Sequence, residues 1–179
     1  MEPHPNLTRA ALGSAPASLE LRGKPAPLEG IGGWLLLPAL GIVISPIRVT
    51  IEMFSSMLPV LKPGVWQALT DPASDAYHPL LPPLIQFEAI ANVLLVVLAV
   101  VTAICFFARK RSTPRVFIVF LLLSLAVQVV DWAWAAQLPA KFQADETGSW
   151  KEMAKAAVAC AVWVPYFLMS KRVENTFTR

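Results

Sequence analysis

Four stretches of the chain are continuously apolar for about the 17 to 25 residues that a helix needs to cross a hydrocarbon core. They run over residues 31–51, 84–107, 116–136 and 153–169, with polar and Pro-rich residues between them. The runs lack the strict apolar and polar alternation of a lipid-facing barrel strand, so helices are predicted. Lipid offers a backbone no hydrogen-bond partners, and a helix satisfies its own. The pattern predicts an all-α fold, an integral membrane four-helix bundle over residues 31–179.

The polar stretches give the organisation between the spans. Residues 1–30 contain prolines, small residues and scattered charge but no apolar core of signal-peptide length, and read as a flexible Pro-rich tail. The first span is then expected to act as an uncleaved anchor. The connection MFSSMLPVLKPGVWQALTDPASDAYHPLLPP, residues 53–83, is too long for a simple turn and is expected to lie along the membrane surface. Within it VWQALT predicts one or two helical turns, with Pro63 near the start and Asp71-Pro72 as the stop. The connection QLPAKFQADETGSWKE, residues 137–152, reads as a charged loop that turns at Gly148. The two halves share no motif, so the inverted repeat of many transporters has no support.

Composition agrees with the pattern. The chain has 179 residues, 56% of them hydrophobic, and a mean hydropathy of +0.57, which suits one membrane domain and not an ordinary soluble one. The net charge of +3 does not point to nucleic acid, because the basic residues lie beside the spans and not in one patch. Anionic headgroups explain them, so membrane lipid is the expected partner, with another membrane protein as the alternative. RKRSTPR, residues 109–115, sets four basic residues between the second and third spans, and basic links stay in the cytoplasm. Both termini are then expected in the cytoplasm, with residues 53–83 as one long extracytoplasmic loop. The bias continues in Arg9, Arg22, Lys24, Lys171, Arg172 and Arg179, against only Lys62, Lys141 and Lys151 on the other side.

Charge inside the spans is the most informative feature. Arg48, Glu88 and Asp131 each cost about 2.5 to 3.5 kcal/mol at a span centre on insertion scales, so each should find a partner or face the bundle interior. Counted from the predicted outer ends, all three fall at one level. Arg48 is the one basic residue in the first three spans and is expected to lie between Glu88 and Asp131, pairing with at least one. Glu52, one turn after Arg48, competes for it, and Gln86, Asn92 and Gln128 can extend the network. Such a cluster either fixes helix register or serves as a proton or substrate site.

Other chemistry is sparse. The two histidines, His4 and His78, cannot build a His-rich metal site, and His78 is expected to cap or pack its loop. Ser170 has no buried base to activate it, there is no Gly-rich phosphate cradle, and Cys105 and Cys160 lie singly in different spans as expected free thiols. No metal, no cofactor and no enzymatic activity are expected. Gly32 and Gly33 before Trp34 suit either a close approach or a span entrance. Pro38, Pro46 and Pro165 are expected to kink their spans. Ala156, Ala157, Cys160 and Ala161 predict a small-residue packing face.

Three motifs carry a resemblance: GIGGWLLLPALG from Gly30, YHP from Tyr77 leading into the span with Glu88 and Asn92, and WVPYFLMSKRVENTF from Trp163. Together they resemble the bacterial family called domain of unknown function 2569, over about residues 30–177. The resemblance implies a small four-span inner-membrane protein and carries no activity. Its motifs make Gly32, Gly33, Trp34, His78, Pro165, Tyr166 and Arg172 candidates for contact with a partner. The expected function is a non-enzymatic accessory membrane protein that binds a partner. The alternative is a small transporter or proton-coupled permease using Arg48, Glu88 and Asp131.

Overall fold

The computed structural model describes residues 30–142 and 146–179. The predicted tail, residues 1–30, lies outside them except for Gly30. Every regular element among the described residues is helical: α1 (Leu36–Val60), α2 (Val65–Thr70), α3 (Leu81–Phe107), α4 (Thr113–Ala135), α5 (Glu146–Met169) and α6 (Lys171–Thr176). Short 3-10 turns precede α1 (Gly33–Leu35) and α5 (Ala140–Phe142). α1 with its leading turn, α3, α4 and α5 from Trp150 onward are each long and apolar enough to cross a membrane. All four predicted spans are therefore present.

Local chemistry explains most of the helix ends. α3 opens on Leu81-Pro82-Pro83 and α4 on Thr113-Pro114, where proline's missing N–H has no helical partner to lose. Pro38 stands in the first turn of α1 for the same reason and breaks nothing, whereas Pro46, Pro59 and Pro165 lie inside their helices. α2 forms where VWQALT was expected, ending at the extended Asp71. Two ends differ from the sequence reading. α1 continues to Val60 instead of Ile51, so Arg48 and Glu52 lie well inside it. α5 begins at Glu146, so Gly148 belongs to its first turn and not to a loop turn, and Glu152 is a helical residue.

The spans pack in series, α1 on α3, α3 on α4 and α4 on α5, while α1 and α5 make few direct contacts. This leaves a cleft between the first and last spans. The two ends of the bundle differ. At the end carrying residues 109–115, Leu35 of the leading 3-10 turn and Ala39 and Ile42 of α1 meet Phe106, Phe117, Phe167, Val173 and Phe177 in one core. Phe117 packs on Phe167 with ring centroids 4.3 Å apart and planes tilted by 32°, and the Phe106 ring lies 5.2 Å from Phe177. Val173 of α6 and Phe177 just after it supply two of these side chains. Ser170 turns extended after α5, so the chain folds back and Val173 and Phe177 close the end of the bundle.

The chain end is strapped to the α3–α4 link. The Arg111 amide donates to the Arg179 carbonyl (2.6 Å), the Arg179 amide to the Arg109 carbonyl (3.2 Å), and Arg111 Nε to the Thr178 carbonyl (2.8 Å). We refer to this as the basic end. At the opposite, far end, the two loops touch: His78 packs on Phe142 (5.7 Å between rings), and Lys141 Nζ donates to the Asp75 carbonyl (3.3 Å).

Candidate functional site

Arg48, Glu88 and Asp131 do not form the expected triad. Arg48 Nε donates to Glu52 Oε1 (2.7 Å), one helical turn away, and its Nη2 donates to Glu152 Oε2 (2.6 Å) on α5. Glu152 also accepts from Lys155 Nζ (2.6 Å). The expected pairing of Arg48 with Glu88 or Asp131 is thus corrected, and the reason is the length of α1. Because the helix runs on to Val60, Arg48 lies about two and a half turns deeper than its presumed end implied, and its side chain reaches across the cleft toward α5. Glu52 takes the place on α1 that faces the two acids.

Glu88 of α3 and Asp131 of α4 meet across the contact between their helices. They line a cavity of about 250 Å³ with Glu52, Phe87, Asn92, Phe120, Ser124 and Gln128. Asp131 Oδ1 is buried, and no N–H or hydroxyl among the described residues donates to it. Asn92 and Gln128, two of the three amides expected in the network, face this cavity, while Gln86 is exposed elsewhere. An adjoining cavity of about 260 Å³ occupies the cleft between α1 and α5. It is lined by Arg48, Glu152 and Lys155, and it shares Glu52, Ser124 and Gln128 with the first. Four acids against two bases line the pair of cavities. The two without a basic partner among the described residues are Glu88 and Asp131.

The site arises from helix periodicity. Phe120, Ser124, Gln128 and Asp131 recur at three- and four-residue spacing on α4 and so share one face. Val49 and Glu52 do the same on α1, as do Glu88, Asn92 and Leu95 on α3. The far half of the bundle is therefore polar inside, and the basic half is sealed by aromatic rings. Sequence reasoning missed Glu152, which it placed in a loop.

The motif residues gather elsewhere. Gly32 and Gly33 meet Arg172 at the basic end, where the guanidinium occupies the space that a side chain on Gly33 would fill. Trp34 is exposed, Pro165 is exposed, and Tyr166 packs edge-on against Trp163 and Phe167 beside the core. His78 accepts the Leu80 amide through Nδ1 (3.3 Å), the loop-capping role expected of it. No three His, Cys, Asp or Glu side chains among the described residues converge as metal ligands. Cys105 and Cys160 are buried free thiols, and Cys160 donates to the Leu121 carbonyl (3.3 Å). On the small-residue face only Ala156 and Cys160 turn inward, since Ala157 and Ala161 are exposed.

Comparison with known proteins gives two matches. Residues 28–178 match the family described as protein of unknown function (DUF2569). The inner membrane protein YdgK of Escherichia coli (strain K12) is 28% identical over 150 residues, covering 83% of this chain and 94% of the relative. No solved structure matches the chain significantly.

Proposed function

The chain belongs to the DUF2569 family of proteins of unknown function, matched over residues 28–178, and from that premise we propose that it is a non-enzymatic permease of the inner membrane. In this reading it binds a proton or small cation at Glu88 and Asp131. Its membrane rests on the relative named as an inner membrane protein and on the four apolar helices. The basic link 109–115 and both termini face the cytoplasm, following the positive-inside bias, and the far end with α2 lies outside.

The observation that carries the reading is the meeting of two carboxyl groups in a cavity within the spans, with no basic side chain among the described residues paired to either. Carboxylates at that depth are costly and repel each other, so they call for a proton or a cation. Arg48 cannot serve, being committed to Glu52 and Glu152. The cleft between α1 and α5 offers a route to the acids, and the Phe117, Phe167 and Phe177 core closes the other side. A site open on one side and sealed on the other is the arrangement from which alternating access starts.

Proteoliposomes enclosing a pH-sensitive dye test this. Wild-type protein should carry protons down an imposed gradient, and Glu88→Gln and Asp131→Asn should each abolish the flux. Wild-type vesicles no leakier than empty ones, under gradients of protons and of alkali cations alike, would refute the reading.

The accessory reading has an observation of its own. α5 packs on α4 but leaves an apolar groove along Ala154, Val158 and Ala159 between Trp150 and Trp163. A photoreactive residue at position 158 that captures one membrane protein stoichiometrically would favour it.

A further inference from the structure

The basic end holds a second constellation that the permease reading does not use. Arg172, from the last six-residue helix, lays its guanidinium over Gly32 and Gly33, so residues from opposite ends of the sequence meet. Its Nε is buried without a hydrogen-bond partner among the described residues. The nearby backbone carbonyls are already occupied: Gly30 O accepts Thr176 Oγ1 (3.4 Å), Gly32 O accepts the Leu35 amide (3.3 Å), and Gly33 O accepts the Leu36 amide. The ion pairs among the described residues all lie around Arg48 and Glu152, so none of the described carboxylates neutralises Arg172.

Arg109 approaches the same turn at Gly30, with its Nη2 4.0 Å from where a side chain on that residue would begin. Its backbone is unusual. α3 ends in a motif in which the Lys110 amide reaches the Cys105 carbonyl (3.0 Å) and the Arg109 amide reaches the Phe106 carbonyl (3.1 Å). The residue between must be left-handed, a place normally given to glycine, yet Arg109 holds it at φ 54°. Two arginines thus meet residues 30–33, one with a buried donor unpartnered among the described residues. Guanidinium presents a planar fork that matches phosphate oxygens. Trp34, 70% exposed at the start of the first span, marks the level where headgroups lie.

We propose that Arg109 at Gly30 and Arg172 at Gly32 and Gly33 form a binding site for a phosphate-bearing anion, which in the membrane is the headgroup of an anionic lipid. The bare glycines let the guanidinium lie close to the backbone, and the anion supplies the counter-charge that none of the described carboxylates provides.

Full-length protein, purified in a mild detergent and stripped of lipid, would be titrated with phosphatidylglycerol, phosphatidylcholine or inorganic phosphate. Bound lipid is read by native mass spectrometry and stability by thermal unfolding. Phosphatidylglycerol should be retained and should raise the Tm, and phosphatidylcholine should do neither. Arg172→Gln and Arg109→Gln should each weaken retention by about fivefold, the equivalent of about 1 kcal/mol for one basic side chain at an anionic surface. Lys171→Gln, next to Arg172 but away from the glycines, should leave it unchanged. Because Arg172→Gln perturbs a packed side chain, the exposed Arg109 provides the second arm. If inorganic phosphate alone reproduces the Tm gain and the arginine dependence, the site stands and the lipid source falls. Equal retention by both arginine variants, or equal loss in Lys171→Gln, would overturn the site in favour of diffuse charge.

Discussion

Arg48 Nη2 lies 2.6 Å from Glu152 Oε2, joining the first membrane-spanning helix to the last across a cleft where the two otherwise make few contacts. Arg48→Ala and Glu152→Ala should therefore be non-additive in thermal unfolding, with a coupling of about 0.5 to 3 kcal/mol, the range for residues in direct contact. The exchange Arg48→Glu with Glu152→Arg should recover part of the loss. Against Glu88→Gln or Asp131→Asn, by contrast, Arg48→Ala should be additive within about 0.5 kcal/mol. Strong coupling there would mean that Arg48 serves the acid pair after all.

The acids themselves predict an opposite sign. Replacing one partner of a buried ion pair destabilises by about 3 to 5 kcal/mol, because the other is left uncompensated. Glu88 and Asp131 have no basic partner among the described residues to orphan. Glu88→Gln and Asp131→Asn, which remove like charge from one cavity, should each leave the Tm unchanged or higher at neutral pH. A fall of several degrees in either variant would reveal a cationic partner.

How much of this was legible in the sequence depends on what each feature needs in order to be seen. Span identity is a local property of composition, and all four spans were readable, as was VWQALT, which sits between Gly64 and Asp71. Helix ends were less so. Ser55, Ser56 and Pro59 make the end of α1 look like loop, although the helix runs through them. The same happened at Gly148, and it hid Glu152. Pairing across the cleft then came out wrong, because depth counted from a misplaced end shifts the residue by whole turns. Glu88 and Asp131 were found because a carboxylate in an apolar run is conspicuous wherever the run ends. Their meeting needed the helix faces, which spacing alone does not set between helices.

The role of α6 was the other omission, although a signal for it was present. Val173, Thr176 and Phe177 recur at three- and four-residue spacing after the basic pair, the mark of an amphipathic helix. All three are buried, and Phe177 touches Phe106 and Phe167. Phe177→Ala should cost about 3 to 5 kcal/mol, as for a core phenylalanine. Phe177→Leu should cost far less. If Phe177→Ala unfolds at the wild-type temperature in detergent, α6 is not part of the core.

Gly33 makes a sharper test of how the two chain ends fit together. Its φ of +53° lies in the left-handed region, which costs a side-chain-bearing residue about 1 to 2 kcal/mol. Any side chain there would also begin in the space filled by the Arg172 guanidinium. Gly33→Ala should therefore destabilise by more than the backbone term alone, and the excess should vanish when Arg172 is also changed to Ala. Gly41 provides the control, since a side chain there would meet nothing within 4 Å. Gly41→Ala should be neutral or slightly stabilising, as alanine is favoured over glycine within a helix by about 1 kcal/mol. Gly33→Ala and Gly41→Ala with the same effect, or a Gly33→Ala defect indifferent to Arg172, would show that the N-terminal turn and α6 do not pack together in the membrane.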